Sequence, residues 1–261
     1  MKYITAIYLP PNKKGLTAKY YKNAVESSKQ YHTKLDIFRH NKSKLGDDFI
    51  LYVDSDLINS KDHQELISEL QNSNIDFICA SNLDKNNGLF YPKTQIVSNA
   101  LNDLKEPILW MDFNDCCVSE KLSDQEIEFL CKQPIRVEWE TLNLRGDPMH
   151  LKDHSVCTRG SQKQPQLGVY FIQDIDFINY VLSLKMPHDQ VSFAHAFEPK
   201  YNIYQDSLPE EFMRFSTYGL FQSCHHNTDV STYMYQMYRE NHRLFKTKIF
   251  HKCTEGLKLA I

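Results

Sequence analysis

Two short acidic segments combine residue types and spacing that could do chemistry. In one, the apolar run Pro107-Ile108-Leu109-Trp110-Met111 ends at Asp112, followed by Phe113, Asn114 and Asp115. In the other, Phe49-Ile50-Leu51-Tyr52-Val53 ends at Asp54-Ser55-Asp56. Carboxylates a few residues apart at a strand end can reach one hard cation such as Mg²⁺ or Mn²⁺. A cation held there is a Lewis acid and a template, able to neutralise charge that builds on departing phosphate oxygens. In the first segment the partner of Asp112 is either Asp115 or, as a weaker ligand, Asn114. The plainer alternative is that Asp112, Asp54 and Asp56 cap turns and Asp115 is solvated.

The elements around these segments decide where the acids would stand. Residues 3–9 read as a strand, ended by Pro10-Pro11. Thr17 caps a helix running through Ser28, and residues 35–38 read as a short strand. Residues 48–54 form an apolar run without alternation, the pattern of a strand buried on both faces of a parallel sheet. A helix over 61–72 follows, with Leu66, Ile67 and Leu70 on one face, then a strand over 75–80. Pro92 suits the first turn of a helix ending at Leu104, whose apolar stripe is Ile96, Val97, Ala100, Leu101 and Leu104. Residues 107–111 are the next strand. Strands alternating with helices imply crossover units and a mostly parallel sheet, and ligands of such sheets bind beyond the carboxyl ends of the strands. Asp54 and Asp112 both fall at such ends.

The second half is less regular. It predicts a helix over 124–132 capped by Ser123, a strand over 136–140 and a long polar loop over 143–166 lying across the site. A strand over 167–173 and helices over 175–184, near 189–197 and over 228–245 follow. No repeat and no domain boundary is visible, so the chain reads as one domain, 1–261.

Composition narrows the function classes. With 15 Phe and 15 Tyr a large core can be buried, while 8 Gly argue against a loop-rich or repetitive architecture. A net charge of −3 speaks against gripping nucleic acid through its phosphates, without excluding a local basic groove. No apolar run has the length of a membrane span, and the start is not a signal peptide, so a cytoplasmic protein with reduced thiols is expected. The 7 cysteines are odd in number and form no Cys-x-x-Cys pair, which gives no support to structural zinc. His150-x-x-x-His154 and Cys224-His225-His226 lack the neighbours a zinc site needs.

An apolar strand ending in an Asp-x-Asp-like turn, led by Lys93 and an amphipathic helix, resembles the metal motif of GT-A-type glycosyltransferases, in particular the glycogenin-like and lipopolysaccharide galactosyltransferase-like branches. The resemblance runs from about residue 90 to residue 258. It implies a GT-A-like fold, a mixed and mostly parallel α/β sheet with helices on both faces. Residues 1–118 would be the nucleotide-sugar-binding half and 119–261 the acceptor-binding half. It implies transfer of a sugar from a nucleotide-diphosphate sugar, UDP-linked first among candidates, to a hydroxyl acceptor, with Mn²⁺ or Mg²⁺ held by Asp112, Asp115 and His251. Lys93 and Lys258 would steady the diphosphate. Tyr8 and Asp54, at early strand ends, would contact the nucleotide, Asp54 at its base or ribose. Gly168, in Leu167-Gly168-Val169-Tyr170, would let backbone pass close beneath the donor sugar. Asp189, beside Gln190, would stand under the reacting carbon, and a retaining outcome is implied. The sequence departs from the family at Asn114, at Gln166-Leu167 before Gly168, and in a C-terminal His–Gly–Lys element one residue longer than usual. Two other readings stand beside this one: a sugar nucleotidyltransferase, for which Pro10–Gly15 is a poor phosphate loop, and a binding protein that has lost catalysis.

Overall fold

The computed structural model describes residues 1–9, 26, 28–29, 31–87, 90–113, 116–118, 120–141, 163–186, 189, 192–193, 196, 221–223 and 249–251. The central sheet is formed by β1 (Lys2–Ile7), β2 (Phe49–Asp54), β3 (Ile78–Ala80), β4 (Ile108–Met111), β6 (Ile135–Thr141) and β7 (Lys163–Ile172). β5 (Cys116–Val118), β8 (Phe221–Ser223) and β9 (Ile249–His251) make a second, three-stranded sheet. The helices are α1 (Leu35–Leu45), α2 (Ser55–Ile58), α3 (Gln64–Asn72), α4 (Tyr91–Leu104), α5 (Asp124–Cys131) and α6 (Ile175–Ser183).

The large sheet has the order β3-β2-β1-β4-β7-β6. The first four strands are parallel, β7 runs against both of its neighbours, and β6 therefore points with the majority. Alternation along each strand divides two apolar layers. Ile4, Ala6, Tyr52, Ile108, Trp110 and Tyr170 join the layer under α4 and α6. Tyr3, Ile7, Leu51, Val53, Leu109, Met111 and Phe171 join the layer under α1, α3, α5 and β5. The fold is thus α/β, a mixed and mostly parallel sheet with helices on both faces. A Leu, Ile or Phe buried on either side contributes roughly 1.5–3 kcal/mol. An exposed pair such as Arg39–Asp36 is worth about 0–1 kcal/mol, so the two layers, not the surface ion pairs, hold the sheet.

Local chemistry sets the ends of the elements that carry the acids. Asp54 is the last residue of β2 and caps α2 by accepting from the Asp56 N–H at 3.0 Å. Pro92 lies in the first turn of α4, and Ile96, Val97, Ala100 and Leu101 are buried, as their spacing predicts. The helix stops where Lys105 turns left-handed (φ 55°) and bonds back to the Leu101 carbonyl. That turn feeds the chain into β4 and leaves Asp112 just past its carboxyl end. Ser123 and Glu126 form a reciprocal capping box at the start of α5.

Several expectations change. Residues 35–38 begin α1 rather than forming a strand: Leu35, Phe38, Asn41 and Leu45 are its buried stripe, at helical spacing that a four-residue window cannot show. The strand expected over 75–80 is paired only at Ile78–Ala80. β7 begins at Lys163, earlier than expected, because residues 163–166 pair with β6 instead of belonging to the polar loop. The helices expected over 17–28 and 228–245 and the rest of that loop lie outside the described residues, apart from Glu26 and Ser28, which are helical. No described helix is long and apolar enough to cross a membrane.

Candidate active site

The centre of the site is an ammonium. Lys93, in the first turn of α4, is 3% exposed. Its stem passes beside the rings of Trp110 and Tyr170, with Nζ 5.2 and 5.7 Å from their centroids. Three acceptors surround its three protons: the Leu167 carbonyl at 2.5 Å, Asp112 Oδ1 at 3.1 Å and Asp189 Oδ2 at 3.4 Å. Burial alone would lower the Lys93 pKa, but the carboxylates of Asp112 and Asp189 outweigh it and hold it above the usual value. The two acids and one ammonium carry one net negative charge between them.

Asp112 is aimed by its neighbours. Its N–H donates to the Gly168 carbonyl at 2.8 Å, continuing the β4–β7 ladder by one step. Its Oδ1 also accepts from the Trp110 indole N–H at 2.8 Å. The side chain is 29% exposed, so it stands at the rim, whereas Asp189, at 6%, lies deep behind Lys93. Asp189, Ser192, Phe193 and Ala196 are all helical and all buried, as expected for a helix near 189–197.

A displacement in β7 makes this convergence possible. Val137 of β6 faces Tyr170, but the next residue, Glu138, faces Gln166. Leu167, Gly168 and Val169 therefore bulge from the β6 ladder. Val169 still pairs with Met111, and the Leu167 and Gly168 carbonyls go to Lys93 and Asp112. The Cys116 thiol reaches the Gly168 carbonyl as well, at 3.5 Å. In this structure Gly168 is thus a backbone support for Asp112.

Tyr8 is partly buried beyond the end of β1. Its hydroxyl is held well above its usual pKa, first by burial and then by the nearby Tyr31, Asp112, Asp189 and Tyr170. Tyr170 is held high in the same way, by burial and then by Asp189 and Asp112. Both phenols are therefore neutral donors beside two carboxylates.

Asp54 belongs to a separate cluster. Its Oδ2 accepts from the Leu9 N–H at 3.0 Å and meets Lys85 Nζ at 2.8 Å, while Oδ1 caps α2. Lys85 also pairs with Asp56. Asp84 presents this lysine from a turn tied to α4 by an Asp84 N–H to Gln95 Oε1 bond of 2.6 Å.

Asp115, Gln190 and Lys258 lie outside the described residues, and of His251 only the backbone is described. That backbone is informative. β9 pairs antiparallel with β5, with His251 facing Cys116. The segment bearing His251 therefore lies beside the residue that follows Asp115. Among the described residues no group of three His, Cys, Asp or Glu side chains could hold a metal.

Sequence reading missed Trp110 and Tyr170 as the walls around Lys93, and it missed the small sheet. Trp110 and Tyr170 each sit two residues from positions already singled out, Asp112 and Gly168, which was a usable signal. The small sheet has no such signal, since its strands are three residues long and far apart in the chain.

No family model matches this chain, and no curated protein matches it. Among solved structures, its backbone is similar to that of a Bacillus anthracis protein described as a glucose-1-phosphate thymidylyltransferase, in complex with a sucrose. The identity is 14% and the TM-score 0.40, over 77% of this chain and 84% of that one. It is also similar to mouse xyloside xylosyltransferase 1 in its apo form, at 10% identity and a TM-score of 0.40, over 97% of each chain. Neither likeness reaches a level that speaks to activity.

Proposed function

We propose that this protein is a metal-assisted glycosyltransferase of GT-A-like fold, moving a sugar from a nucleotide-diphosphate sugar to a hydroxyl acceptor. The observation that carries the reading is the Asp112–Lys93–Asp189 triad at the carboxyl end of β4. It offers a partly exposed carboxylate at the rim and a buried one behind it, with an ammonium between them.

A divalent cation suits this donor set. Asp112 and Asp115 offer hard oxygens, and β9 sets the His251 backbone opposite Cys116, the residue after Asp115 in the chain, which supports His251 as a third ligand. The net negative charge of the triad favours a cation at the rim. Bound there by Asp112, Asp115 and His251, it would supply charge neutralisation to the departing diphosphate. In this reading Lys93 orients Asp112 and Asp189 rather than the diphosphate, because its three protons already have protein acceptors. Asp189 then faces the positive charge that develops on the sugar as its bond to phosphate breaks. Gln190 and Lys258 belong to the same proposal, as sugar and diphosphate contacts. Tyr8, beside both carboxylates, would donate its O–H to donor oxygens.

The test is a thermal-shift screen of UDP-, GDP-, CMP- and dTDP-linked sugars with and without Mn²⁺. A ligand bound only by the folded state raises the melting temperature by mass action. The expected outcome is a Mn²⁺-dependent shift for one nucleotide, lost in Asp112→Asn. Absence of a shift with every nucleotide, in folded protein, overturns the reading.

A further inference from the structure

β5 is held on both edges, and only one partner is a strand. β9 occupies one edge. The other faces α1, whose buried stripe Leu35, Phe38, Asn41 and Leu45 contains a single polar residue. Asn41 is 2% exposed. Its Nδ2 donates to the Cys116 carbonyl at 2.9 Å, and its Oδ1 accepts from the Val118 N–H at 2.8 Å. These are the two groups that a neighbouring strand would otherwise pair. The next residue, His40, sets Nε2 2.8 Å from the Val118 carbonyl, so that ring nitrogen donates. Three outward-facing backbone groups of β5 are thus satisfied by two adjacent helical side chains. A buried amide in an apolar stripe is costly unless both of its ends are bonded, and here both are, which specifies one position of α1 against β5.

β5 starts directly after the Asp112–Asp115 turn, and β9, with His251 opposite Cys116, hangs from its far edge. We infer that Asn41 is a positioning residue: it acts as a surrogate strand that fixes β5, the strand that follows Asp115 in the chain, and through β5 the His251 backbone of β9. This inference rests on the glycosyltransferase reading only for the identity of the group those residues hold. Asn41 touches neither substrate nor metal. Its effect is on how well three ligands from two segments are pre-arranged.

The experiment compares wild type, Asn41→Ala, Asn41→Asp and Leu45→Ala in the full chain. Leu45→Ala weakens the same helix from its far end, where Leu45 packs in the apolar layer. Mn²⁺ affinity is read by electron paramagnetic resonance well below every variant's melting temperature, and amide exchange is read over residues 116–118. Expected are at least tenfold weaker Mn²⁺ binding and faster exchange of the Val118 amide in Asn41→Ala. Asn41→Asp keeps the acceptor for Val118 but sets a carboxylate against the Cys116 carbonyl, so it weakens binding too, while its Val118 amide stays protected. Leu45→Ala, with a comparable loss of melting temperature, binds Mn²⁺ like wild type. If Leu45→Ala and Asn41→Ala weaken binding equally, or Asn41→Ala not at all, the positioning role is overturned. If wild type itself does not bind Mn²⁺, the functional reading fails first, and faster Val118 exchange confined to Asn41→Ala still decides whether Asn41 fixes β5.

Discussion

The carboxyl ends of β2 and β4 carry the same ingredients, two aspartates and a lysine, in opposite surroundings. At β2, Lys85 bridges Asp54 and Asp56, and Asp56 is 66% exposed. Asp54 also holds two backbone N–H groups, so its charge is met three times over. At β4, Lys93 bridges Asp112 and Asp189 from inside the protein, with aromatic rings on its flanks. The first cluster ties β1, α2 and the loop before α4 together and has the marks of a structural clamp. The second holds one acid at the rim and one in the interior, and the Asp112 N–H is tied to the Gly168 carbonyl. Each cluster thus pairs one buried acid, Asp54 or Asp189, with a more exposed one, and the difference lies in what else meets the buried charge: two backbone N–H groups and a capped helix at Asp54, an ammonium walled by aromatic rings at Asp189.

Removing each lysine is the sharpest way to break this contrast. Lys93→Met removes the ammonium from the buried Asp189 and leaves it beside a second carboxylate at the rim, and breaking a buried pair costs about 3–5 kcal/mol. Urea unfolding at neutral pH should show a loss of that size, and a loss below about 1 kcal/mol would mean that the triad is no more coupled than a surface pair. Lys85→Met leaves the buried Asp54 carboxylate with its two N–H donors, so it should cost less than Lys93→Met, about 1–3 kcal/mol. A loss matching that of Lys93→Met would erase the distinction between clamp and site.

The smallest effect concerns Tyr170. Its buried hydroxyl has no hydrogen-bond partner among the described residues. Tyr170→Phe keeps the ring beside Lys93 and removes the O–H, so stability should stay within about 0.5 kcal/mol or rise. Donor binding, followed by the same thermal-shift assay, should weaken if the hydroxyl serves a ligand. A stability loss above about 1 kcal/mol would place its partner within the protein instead.

Legibility followed distance along the chain. β1, β2, α4 and β4 and the cap at Ser123 are encoded in short local windows, where periodicity and capping rules operate, whereas the Lys93–Asp112 ion pair, 19 residues apart, was not read from the sequence, which assigned Lys93 to a diphosphate. Asp54 was visible as a strand-end acid with two readings, and the described structure shows it capping α2. Residues 35–38 misled because β-branched and aromatic neighbours look alike in strand and helix until the stripe extends to Leu45. That misreading also hid Asn41, whose meaning depends on a helix being there. The β7 bulge and the small sheet are products of tertiary pairing, and nothing local announces them.

The pairing of β5 with β9 has a consequence for how the molecule is made. A chain leaves the ribosome from its amino end, and every strand of the large sheet lies before residue 173. β9, which closes on β5, comes from residues 249–251. Contacts this distant in sequence form late, since a long loop must close before they repay it. The parallel sheet can therefore be complete on a nascent chain while the acidic turn still waits for its neighbour. On the proposed function the metal site would be the last part completed, and a chain cut short of β9 would keep the large sheet while β5 lacked its partner strand.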